Sequence, residues 1–149
     1  MFMGIELKNT FSLVYIYLFI KEVEALYKSL KKFTKDFKQT DYNLEHKLFC
    51  KLKNIEDDII CKKRFLKKIK TNKECIKMRI LLFLEEMQKC VKELNTLVKE
   101  GYSLETLQDF IDYLHISYFY DAFFSFLDSE DKETLKEITR EVNKMYWSY

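Results

Sequence analysis

ILLFLEEMQKCVKELNTLV, residues 80–98, places apolar side chains at Ile80, Leu84, Met87, Val91, Leu94 and Val98, with spacings of 4, 3, 4, 3 and 4. Residues three and four apart share one face of an α-helix. A repeat averaging about 3.5 keeps that face against a neighbouring helix over many turns, as in coiled coils. Two other stretches carry the same rhythm. Phe19, Val23, Leu26, Leu30, Phe33 and Phe37 form one seam. Leu48, Leu52, Ile55, Ile59, Lys62, Leu66 and Ile69 form another, with a single lysine intruding. Three long helices packed side by side are the simplest object that satisfies all three seams.

Composition points the same way. The 149 residues contain no proline and only two glycines, Gly4 and Gly101. Such a chain has few tight turns, which argues against sandwiches, barrels and glycine-cradled phosphate sites. A hydrophobic share of 48% with 34% charged residues fits neither a disordered chain nor a membrane protein. One all-α domain over 1–149 is expected, large enough to bury a core without disulfide or metal staples.

Punctuation sets the boundaries. Thr40-Asp41 separates the first two seams, and Thr71-Asn72-Lys73-Glu74 reads as a capping box opening the third. Gly101 suits the left-handed residue that follows a helix, Ser103 offers the next N-cap, and Ser129 another. Helices are expected near 9–38, 43–70, 73–100, 104–127 and 130–147. The short connections make the first three antiparallel neighbours. The predicted fold is an antiparallel bundle of three long helices plus two or three shorter C-terminal ones.

The fourth segment changes sides. Leu107, Phe110, Ile111 and Leu114 lie opposite Glu105, Gln108, Asp109 and Asp112. Beyond residue 116, Ile116, Phe119, Tyr120, Phe123, Phe126 and Leu127 gather where the polar side had been. The reading favours a break near 115–117, giving helices 104–115 and 117–127. The stretch HISYFYDAFFSF, 115–126, is therefore an aromatic face that closes one end of the bundle or an exposed patch for a partner. Core filling is the preferred reading. On the other, Tyr118, Phe119, Phe123, Phe124 and Trp147 are the partner-binding residues.

Charge is lopsided. Residues 1–80 hold 19 Lys/Arg against 10 Asp/Glu, a net +9, whereas residues 81–149 hold 7 against 14, a net −7. The segment CKKRFLKKIKTNK, 61–73, has no acid at all. Lys63, Lys67 and Lys70 share a helix face, Arg64 and Lys68 form a second row, and Lys73 follows. That is the candidate nucleic-acid surface. Lysines at a helix C-terminus are also explained by the helix dipole alone.

Chemistry of other kinds finds little support. His46 and His115 are the only histidines, and neither has a glutamate three residues before it, so a di-iron bundle is not indicated. Cys50, Cys61, Cys75 and Cys90 lack the close spacing of zinc or redox motifs and are expected to pack as reduced, small hydrophobes. No nucleophile, base and acid are arranged for catalysis. The run FSLVYIYLFI, 11–20, is only about 15 Å long as a helix, half of the hydrocarbon core, and lacks a basic segment before it. The expectation is a cytoplasmic, non-enzymatic helical module, free of cofactor and metal, that binds another protein or itself. Nucleic acid is the alternative partner, and a membrane is not expected to be one.

Overall fold

The computed structural model of the protein describes residues 18–68 and 74–113, together with Glu133, Lys136 and Arg140. Among them every regular element is helical: α1 over 18–31, α2 at Leu44–Lys68, α3 at Glu74–Lys99 and α4 at Leu104–Tyr113. The end charges follow the helix dipole. Glu45 and Glu74 sit in the first turns of α2 and α3, and Lys67, Lys68 and Lys99 in the last turns.

The three seams supply most of the core. Every residue of the third seam is buried, as are those of the first and second apart from three positions. Phe37 is half-buried against the core, Ile69 lies outside the described residues, and Lys62 is the intruding lysine. Its stem lies along the seam while its ammonium reaches Asp58 Oδ1 at 2.7 Å, one turn back. Burying each Leu or Ile contributes about 1.5–3 kcal/mol, against about 1 kcal/mol for a helix cap. The seams therefore decide the fold, and the caps trim its ends.

Contacts between helices run in opposed order. The Phe19 and Phe65 rings stack at 5.7 Å, while Asp36 faces Lys51 at 3.9 Å. Between α2 and α3, Lys63 meets Gln88 and Lys77 meets the Lys67 carbonyl. From Phe19 of α1 to Asp36 in the turns beyond it, the partners on α2 run back from Phe65 to Lys51; from Lys63 to Lys67 of α2, the partners on α3 run back from Gln88 to Lys77. α3 also meets α1, where the Tyr27 ring lies 5.6 Å from that of Phe83. Neighbours on two sides explain why α3 buries Phe83 and Cys90 beside its seam.

The first helix is shorter than its periodicity predicts. It ends at residue 31, not 38, and the chain continues through turns to residue 36. Phe33, Lys35 and Phe37 donate to carbonyls three residues back, at Leu30, Lys32 and Thr34. This tighter winding lets both Phe33 and Thr34 point inward. The Lys31 carbonyl instead accepts the side-chain amide of Gln108, at 3.2 Å. A residue of α4 thus serves the end of α1, which no local pattern could announce.

The α3–α4 corner is local chemistry that the sequence does announce. Gly101 has φ of +84°. Its N–H donates to Val98 O, and that of Tyr102 donates to Leu97 O, the paired bonds of a Schellman ending. Ser103 Oγ then accepts the Thr106 N–H at 3.2 Å and caps α4. Leu104 N–H is taken by Gln39 Oε1 at 2.8 Å, which ties the α1–α2 connection to the start of α4. At the start of α2, Asn43 adopts φ of +54°, a conformation asparagine tolerates better than most residues.

The predicted capping box at Thr71, the break at 115–117 and the helices placed at 117–127 and 130–147 lie outside the described residues, save for the three isolated positions. No helix among the described residues is long and apolar enough to cross a membrane.

Candidate functional site

α4 presents three different faces. Leu107 and Ile111 are fully buried in the core. Gln108 turns toward the end of α1, where its carbonyl oxygen accepts the buried Thr34 hydroxyl, while its amide also reaches Asp112 Oδ1 of α4 at 2.9 Å. The third face, Thr106, Asp109, Phe110 and Tyr113, forms one wall of an open groove of about 580 Å³. Leu97 of α3 and Tyr102 of the Schellman turn form the other. Its lining is mostly apolar and aromatic, with one carboxylate, Asp109, and the hydroxyls of Thr106, Tyr102 and Tyr113.

Exposure makes the groove more than a seam between packed helices. Tyr113 is 86% exposed and Tyr102 is 48% exposed. Two large rings are thus held in water on fixed backbone, Tyr102 by the glycine turn and Tyr113 by helix α4. Tyrosine so placed is a favoured anchor at protein interfaces, because its ring is apolar and its hydroxyl remains satisfied by water.

The basic segment is divided in its roles. Arg64, Lys67 and Lys68 are exposed on the last two turns of α2. Lys63 is half-buried, and its ammonium donates to Gln88 Oε1 at 3.0 Å, so it serves the contact between α2 and α3. Lys77 of α3 reaches the Lys67 carbonyl at 3.4 Å and adds a cation at this end. Lys70 and Lys73 lie outside the described residues, as do Tyr118, Phe119, Phe123, Phe124 and Trp147.

The cysteines depart from expectation. Only Cys90 is packed as a small hydrophobe; Cys50 and Cys61 are exposed, and the side chain of Cys75 lies outside the description. The reason is register. With Leu48, Leu52, Ile55 and Ile59 facing inward, positions 50 and 61 fall on the outer side of α2. Burial pushes the Cys90 thiol up to about 12 from 9.0, the Glu93 carboxylate adds to this, and Lys31 opposes it. Among the described residues no three His, Cys, Asp or Glu side chains gather where they could hold a metal ion.

Comparison with known proteins adds no further constraint: no family model, curated protein or solved structure matches the chain.

Sequence reasoning missed the six groove residues as a group. Phe110 was legible as apolar, but Leu97, Tyr102 and Tyr113 are not neighbours on any one helix. The available signal was Gly101. A Schellman ending brings the residue after the glycine back over the helix's last turn, here Tyr102 over Leu97.

Proposed function

We propose that the protein is a non-enzymatic interaction module: an antiparallel bundle of three long helices with shorter C-terminal helices, binding another protein or a second copy through a helix face. The observation that carries this reading is the groove of Leu97, Tyr102, Phe110 and Tyr113, with its two exposed tyrosines. Its shape and lining suit an amphipathic helix, whose apolar residues at i, i+3 or i+4 and i+7 would insert between the rings. The opposed contacts Phe19–Phe65 with Asp36–Lys51, and Lys63–Gln88 with Lys77–Lys67, support the antiparallel arrangement.

A second reading has its own observation. Arg64, Lys67 and Lys68 are exposed at one end of the molecule, and Lys77 is drawn to the same end. Phosphate binding there would be electrostatic and steeply salt-dependent. Size-exclusion chromatography with light scattering separates the two readings, run with and without short mixed nucleic acid at low and high salt. The interaction reading predicts elution indifferent to nucleic acid. Co-elution at low salt, abolished by charge reversal at Arg64, Lys67 and Lys68, would move the site to the basic end.

A further inference from the structure

The first two turns of α2 carry a pair that the interaction reading does not use. Cys50 Sγ lies 3.6 Å from His46 Nε2, with both side chains exposed. The residues are one helical turn apart, so the backbone holds them on one face. They form a thiol–imidazole hydrogen bond.

Their separation has a second meaning. A tetrahedral zinc ion holds sulfur at about 2.3 Å and imidazole nitrogen at about 2.0–2.1 Å, which sets the two donor atoms about 3.6 Å apart. That is the distance found between Cys50 and His46. The donor atoms are thus already separated by one edge of a zinc tetrahedron, and rotation of the two exposed side chains suffices to aim both at one ion. Thiolate with imidazole is also the donor set that selects zinc-class ions over magnesium or calcium.

Access and surroundings fit a surface chelate. Because both side chains face water, the two remaining positions of the tetrahedron are open to solvent. His46 also borders a hollow of about 330 Å³ with Asn43, Glu45 and Phe49. Cys61 supplies the contrast. It is equally exposed on α2, but Asp57 and Phe65, not an imidazole, stand one turn away from it.

We propose that His46 and Cys50 form a two-donor site for a zinc-class divalent cation on the outer face of α2. On binding, the thiol releases its proton, and the thiolate and the neutral imidazole each donate a lone pair to the ion. The site is independent of the α3–α4 groove.

The test is titration of the reduced protein with Co²⁺ in place of zinc, followed by the near-ultraviolet thiolate-to-cobalt charge-transfer band, then by displacement with Zn²⁺. The exposure of both residues makes Cys50→Ser and His46→Ala safe for folding. The band is expected in the wild type and in Cys61→Ser, and to vanish in Cys50→Ser. His46→Ala should weaken binding about a hundredfold or more, because it forfeits the effective concentration that two linked donors share. A band that survives Cys50→Ser, or an affinity unchanged by His46→Ala, would overturn the site, as would a wild type with no band.

Discussion

Gln108 joins three parts of the molecule, and its removal has a calculable cost. Its amide donates to Lys31 O at the frayed end of α1 and to Asp112 Oδ1, and its oxygen accepts the Thr34 hydroxyl. Thr34 is only 7% exposed, so without Gln108 its hydroxyl has little access to water. A buried hydroxyl left unsatisfied costs about 1–3 kcal/mol, and an ordinary lost hydrogen bond about 0.5–1.5 kcal/mol. Gln108→Ala is therefore expected to destabilise the fold by about 2–3 kcal/mol, the Thr34 and Lys31 bonds contributing most. With a urea slope of about 1–3 kcal/mol per molar, the midpoint should fall by roughly 1 M. Circular dichroism during urea unfolding measures it. The sharper test is the pair with Thr34→Val, which removes the hydroxyl and its need for a partner. The double variant should be less destabilised than the two single losses combined, by about 1–2 kcal/mol. Additivity to within about 0.5 kcal/mol would refute the claim that Gln108 stabilises by satisfying Thr34.

Other expectations follow from single observations. Gly101→Ala should cost about 1–2 kcal/mol by urea unfolding, through backbone strain alone, because φ is +84° and an added Cβ meets nothing within 4 Å. A thiol reagent should modify Cys50 and Cys61 in the native protein and reach Cys90 only on unfolding, which mass spectrometry of labelled peptides would resolve. Cys90 also sets a pH dependence. Its thiol is raised from 9.0 to about 12, so the folded state holds the proton more tightly than the unfolded chain does. That stabilisation is complete below pH 9 and is lost as pH rises toward 12. Relative to Cys90→Ala, the wild type should lose stability more steeply across that interval; equal slopes would contradict the buried thiol.

What was legible in the sequence is what helical repeat alone determines. Ile80 to Val98 alternate at threes and fours because one face of α3 must be dry, and that requirement acts within a few turns. Gly101 and Ser103 were legible for the same reason, since turn and cap chemistry is local. The end of α1 was not. It depends on Gln108, 77 residues from the carbonyl it bonds. Cys50 and Cys61 show a different failure. The register of Leu48, Leu52, Ile55 and Ile59 already placed them outward, but cysteine's general preference for the interior prevailed in the reading. The candidate groove lies between these cases: each lining residue is ordinary, and only the folded corner after Gly101 brings Tyr102 and Leu97 opposite Phe110 and Tyr113.

The proposal that this groove receives a protein partner is tested most directly by a photo-activated phenylalanine analogue at Tyr113, in cells that make the protein, with Lys53 on the outer face of α2 as the control site. The account predicts one discrete protein adduct from position 113, which Tyr102→Glu abolishes and which position 53 does not give. The same products from both positions, or adducts from 113 that Tyr102→Glu leaves intact, would contradict it.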